Sequence, residues 1–263
     1  MGEYEEYKKI RESNRHTFKL NFADDIAAFD TLFAQLRLAW SLLGAKRDSK
    51  GASHTGLLLF SNILIRHTVF GFENLACYQS SLAWTTYRAG LEAFLIIGKF
   101  LDDPGSAQIW LNRTSSQKQD KKAYAKLFNG QALESKAIPR SVALRQVLGR
   151  LNDEFMHPNP FFTYRDASRH DDGTDLSLQI ELFDTIRDIH EAHLVAFMNL
   201  FSVILEDSGK VVEALVGGVD LKRCSNVYEK TNLKRASQLT VRTPAASLSW
   251  RSLDFGGFEQ TIR

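Results

Sequence analysis

Cysteine is almost missing from this chain: Cys77 and Cys224 are the only two in 263 residues. They lie far apart and lack metal-ligand spacing, so neither a disulfide framework nor a zinc site is indicated, and a reducing cytosol is the default compartment. Missing too are a Gly-rich phosphate loop, a Walker lysine motif, a Gly-x-Ser-x-Gly elbow and any paired-Cys motif, which leaves nucleotide binding and serine hydrolysis without support. The N-terminal stretch MGEYEEYKKIRESNRH is charged where a signal peptide needs an apolar run, so no secretion or transit segment is expected. No repeat of solenoid length occurs. Excess charge is small as well. A formal net charge of +2 is too little to argue for nucleic acid, but residues 222–263 hold eight Lys or Arg against three acids, and the remainder holds 25 against 28. The positive excess therefore sits in the tail.

What the chain does have is core material. Hydrophobic residues reach 44%, aromatics 11% with 18 Phe, and charged residues an ordinary 24%, the composition of a soluble globular protein. The expected fold is all-α, a helical bundle around a long central helix at about 72–103. Residues 1–20 read as an N-terminal extension, 21–235 as a single helical domain, and 236–263 as a basic, mobile tail.

The central helix is read from Phe72, Leu75, Ala76, Ala83, Tyr87, Leu91, Phe94 and Leu95, which recur at intervals of three, four or seven. Apolar residues off this stripe (Leu82, Trp84, Ile96, Ile97, Phe100) widen the buried surface, as in a helix at the middle of a bundle. Arg88, Glu92 and Lys99 argue against a membrane span, because a charge at the bilayer centre costs about 2.5 to 3.5 kcal/mol. Arg88 and Glu92 are four apart, share a face and can pair.

Elsewhere, Asn21 resembles an N-cap for a helix through Leu43, with Gly44 as its stop. Residues 3–15 read as a charged helical turn or a frayed end. GLLLFSNILIRHTVFGF reads as a buried helix ending near Gly71. Pro104 opens a short helix through Trp110 and Leu111, Asn112–Lys122 is a polar connection, and Pro139 opens a helix through Phe155 that MHPNP closes. The stretch 161–181 reads as an exposed loop or a short β-hairpin. A last long helix starts at about Leu178 or Leu182 and runs to Glu206, with Gly209 marking a break.

A di-iron bundle needs two Glu-x-x-His pairs and two further carboxylates. Only Glu154 and His157 have that spacing, and His190 with His193 lack the carboxylate, so two inner-face histidines read as core residues and no metal or cofactor is expected.

TYRAGLEAFLIIGKFLDDPGSAQIWL, LNDEFMHPNP and the final amphipathic helix together resemble uncharacterised all-helical bacterial proteins related to the HEPN superfamily, over roughly Phe72 to Asp207. That resemblance implies a metal-independent ribonuclease of a bacterial defence or toxin system, whose signature is an Arg and a His with four to six residues between them. In such chemistry a His near its ordinary pKa takes the 2′-hydroxyl proton, and a fixed cation holds the charge of the phosphorane. His157 or His193 would be the base, Arg150, Arg187 or Arg88 the cation, and Glu92 the orienting group. Arg150/His157 and Arg187/His193 both fit the spacing. Such sites lie between two protomers, which implies a homodimer, in the cytoplasm and without membrane contact. The alternative is a non-catalytic helical module that binds a protein or RNA partner, with the basic tail as its contact.

Overall fold

The structure is a computed structural model and describes residues 2–45, 52–114, 117–156, 167–171, 176–180, 182–185 and 187–217. Among these, helices dominate: α1 (Glu3–Asn21), α2 (Ala23–Ala45), α3 (Ala52–Ala76), α4 (Ser80–Asp102), α5 (Ser106–Leu111), α6 (Lys118–Phe128), α7 (Ser141–Leu151) and α8 (Arg187–Val216). The fold is all-α in its architecture. Two short strands, β1 (Ala167–Asp171) and β2 (Leu176–Ile180), pair antiparallel with Arg169 opposite Leu178; the rest of 161–181, apart from its two strands, lies outside the described residues.

The single rod expected over 72–103 is two helices. α3 ends at Ala76, and α4 begins at Ser80 after a turn in which Tyr78 takes φ 59°. The amides of Cys77 and Gln79 both donate to Asn74 O, at 3.1 and 3.0 Å, and that of Tyr78 to Leu75 O at 2.8 Å. A left-handed Tyr is unfavourable on its own, and here packing compensates: its ring stacks on His190 at 4.1 Å and meets the edge of Phe18. The apolar stripe runs unbroken through the turn, so periodicity alone could not reveal it.

α3 and α4 then lie side by side. Gly90 brings the backbones close, since a Cβ there would stand 3.1 Å from His67 Cβ. Across the same seam His67 Nδ1–H donates to Thr86 O at 2.9 Å, and Asn74 Nδ2 donates to Thr86 Oγ1 at 3.2 Å. The core continues into α2 and α8 through aromatic contacts. Phe29 stacks on Phe72 at 3.8 Å, Phe29 meets Phe201 at 5.5 Å, and Tyr87 meets Phe197 at 4.5 Å.

Residues 3–21 form a full helix rather than a charged turn. α1 is mostly exposed, with Phe18 as its buried anchor, and it sits against the α3–α4 turn. Arg11 donates to Cys77 Sγ and Asn74 Oδ1, Asn14 to Cys77 O, and Gln79 to the Tyr7 hydroxyl. α8 starts at Arg187, later than expected, and passes through the expected break: Gly209 is buried inside it and the helix ends at Val216. Three helical stretches, Ala23–Leu43, Ser53–Ala76 and Arg187–Val216, are long and apolar enough to cross a membrane by length and composition. α4 is not one of them.

Candidate functional site

α4 carries Arg88 and Glu92 on the edge of its buried face, next to Tyr87 and Leu91, which are wholly enclosed. The i, i+4 spacing brings Arg88 Nη1 to 3.2 Å from Glu92 Oε2, with the two side chains 24% and 32% exposed. The pair is therefore partly exposed. Arg88 Nε also donates to Asn152 Oδ1. Asn152 opens a single π-helical turn, Asn152–Met156, that follows α7; such turns distort a helix locally and recur at functional sites. A guanidinium held by an amide on one edge and a carboxylate on another has a fixed plane, and Arg88 Nη2 has no hydrogen-bond partner among the described residues.

Tyr124 of α6 flanks this pair. Burial pushes its phenol pKa up, the negative charge of Glu92 adds to the rise, and Arg113 opposes it. Arg150 lies two positions before Asn152 and is exposed on α7. His157, five positions after Asn152, lies outside the described residues.

The other predicted pair is divided between two environments. Arg187 stands on the surface and pairs with Glu191 at 2.8 Å, which raises the Arg187 pKa through that hydrogen bond and the carboxylate charge. His193 is buried in the core, where its Nδ1 accepts the indole N–H of Trp84 at 2.7 Å. An accepting Nδ1 carries no proton, so the neutral ring holds its proton on Nε2.

Two polar clusters were not legible from motif spacing. In one, Asp184 Oδ2 accepts from the Ser80 hydroxyl, from the Ser80 backbone N–H at 3.3 Å and from His190 Nδ1–H at 2.8 Å. The Ser bonds the Asp, not the His, and the His ring packs edge-on to Phe18 and Phe22. This is not the order of a nucleophile relay; it caps the N-terminus of α4, where a carboxylate is favoured. The carboxylate could have been suspected only from Ser80 and Ser81, which offer helix-start chemistry.

In the other, Arg140 at the start of α7 grips Asp207 and Glu206 of α8. An open groove of about 550 Å³ lies between α2 and α3, beside Arg37, Trp40 and Asn62. It includes none of the predicted site residues. Among the described residues no three His, Cys, Asp or Glu side chains converge; His190 is engaged by Asp184 and Glu92 by Arg88.

No family model, curated protein or solved structure matches this chain.

Proposed function

We propose that the chain is a HEPN-like helical protein that cleaves RNA without a metal, as part of a bacterial defence or toxin system. The observation that carries this reading is the Arg88–Glu92–Asn152 cluster: a fixed, partly exposed cation beside the π-helical turn that leads towards His157. In the proposed step His157 removes the 2′-hydroxyl proton, the 2′-oxygen attacks phosphorus, and the bond to the 5′-oxygen breaks, giving a cyclic phosphate and a 5′-hydroxyl once solvent protonates the leaving oxygen. Arg88 and Arg150 would hold the charge that builds on the phosphorane oxygens, while Glu92 would hold Arg88. His193 suits the base role less well, being enclosed and hydrogen-bonded to Trp84. The proposal takes the protein as a cytoplasmic homodimer without membrane contact, in which Phe29 joins α2 to Phe72 of α3 and Phe201 of α8.

A second reading, a non-catalytic module for a protein or RNA partner, is favoured by the same bonds seen differently. An Arg tied to both Asn152 and Glu92 is also what a structural clasp between α4 and the end of α7 needs. The deciding experiment incubates the purified full chain with total RNA in chelator, beside His157→Ala and Arg88→Lys proteins whose melting temperatures match the parent. Cleavage abolished by His157→Ala supports the ribonuclease. Absent cleavage, or cleavage indifferent to His157→Ala, overturns it in favour of the module.

A further inference from the structure

The near-neutral chain hides a second basic region. Residues 106–151 hold nine Lys or Arg against only Asp120 and Glu134. Two of the nine, Arg140 and Arg145, are spent on ion pairs. Of the rest, Lys118, Lys121, Lys122 and Lys126 are exposed on α6 and have no ion-pair partner among the described residues.

Their order along the helix is informative. Lys118, Lys122 and Lys126 recur every fourth position and so form one stripe, about 12 Å long, with Lys121 beside it. Tyr124, Leu127 and Phe128 take the opposite side and face the core. Asp120, two positions after Lys118, points away from the stripe at 100° per residue. The nearby carboxylates are committed elsewhere: Glu134 to Arg145 at 2.8 Å, Asp102 to the backbone amides of Lys136 and Ala137, and Glu92 to Arg88. Among the described residues no carboxylate forms an ion pair with the stripe.

Next to it stands a flat cation. The Arg113 guanidinium lies 3.5 Å from the centre of the Trp110 ring and donates Nη1–H to Trp110 O at 3.2 Å. Phe60 meets the same indole with its ring at 4.8 Å. The guanidinium is thus immobilised against an anchored ring, while Arg113 is exposed. Such a plane stacks on an unpaired base, and bases inside a duplex do not offer their faces.

We propose that the outer face of α6, with Arg113 on its Trp110 platform, binds single-stranded nucleic acid: Lys118, Lys122 and Lys126 follow the phosphates and Arg113 stacks on a base. This surface rests on its own residues and stands whether or not the chain cleaves RNA.

The test is fluorescence anisotropy of the full chain in chelator with a short labelled oligouridylate, the matching deoxyoligonucleotide, a duplex, and vesicles rich in an anionic lipid. Three phosphate contacts with a single strand set a slope of about −2 for log affinity against log salt, so a fourfold rise in salt weakens that component about twentyfold. The Lys118→Glu, Lys122→Glu, Lys126→Glu protein, checked for an unchanged melting temperature, is expected to lose that part of the slope, and Arg113→Ala to bind about tenfold more weakly at fixed salt. Binding of either single strand with these losses supports the proposal. Unchanged affinity and slope in the triple variant, equal binding of the duplex, or binding of vesicles instead of oligonucleotides overturns it. Binding retained without cleavage defeats only the ribonuclease reading.

Discussion

Arg140 holds Asp207 through its Nε and Nη2 groups, 3.0 and 2.8 Å from Oδ1, and through its own backbone N–H, 3.2 Å from Oδ2. The carboxylate has no exposed surface. Burial pushes the Asp207 pKa up, with Arg140 opposing. A folded-state pKa above the unfolded one gives stability that is complete below the unfolded value and declines as pH rises through the folded value. Arg140→Met removes the opposing cation, so it is expected to cost about 3 to 5 kcal/mol at neutral pH and less in acid, where Asp207 is protonated. Urea unfolding at a series of pH values checks this; a penalty independent of pH would contradict it.

His193 and Trp84 form the second testable pair. Trp84→Phe strands the Nδ1 acceptor in the core, at a cost of about 1 to 3 kcal/mol. In a double-mutant cycle with His193→Ala, a coupling of about 0.5 kcal/mol or more is expected. Additive losses would show that the 2.7 Å bond contributes nothing. The same cycle shows how much of any activity lost on His193→Ala is lost structure.

Tyr87 is wholly enclosed, and burial pushes its phenol pKa far above the ordinary value, with Thr68 opposing. The unfolded chain ionises this group near pH ~10, so stability is complete below that pH and falls above it by up to ~1.4 kcal/mol per pH unit. Tyr87→Phe is expected to flatten the alkaline arm of the stability curve. An arm unchanged by the substitution would assign it to other groups.

Two helical glycines should respond oppositely to alanine. A Cβ on Gly98 would stand 2.6 Å from Ser135 Cβ and Oγ and 2.8 Å from Ile138 Cδ1, whereas one on Gly149 meets nothing within 4 Å. Gly98→Ala is therefore expected to destabilise by about 1 to 3 kcal/mol through overpacking. Gly149→Ala should stabilise by up to ~1 kcal/mol through helix propensity. Thermal denaturation of the two proteins reads the signs directly.

These residues also show what could be read from the chain alone. The stripe from Phe72 to Leu95 correctly named core positions, every one of which is buried, because helical spacing reports burial whether or not the helix is continuous. It could not find the turn at Tyr78, where a non-glycine residue adopts a left-handed conformation under tertiary support and no Gly or Pro marks the spot. Nor did Gly209 break its helix, since one glycine costs only about 1 kcal/mol and the surrounding packing of α8 outweighs it. At the candidate site the Arg88–Glu92 pairing followed from i, i+4 geometry. Asn152 did not, because its contact with Arg88 joins positions 64 apart and no local rule reaches that far.

The Asp184 cap on Ser80 spans 104 positions. During synthesis at about 5 to 20 residues per second, the first turn of α4 waits at least ~5 s for its carboxylate. Until then the left-handed Tyr78 has neither His190 to stack on nor Asp184 beside it, so α3 and α4 emerge from the ribosome joined by an elbow held from one side only, by Arg11, Asn14 and Phe18 of α1. Asp184 and His190 then close it from the other side.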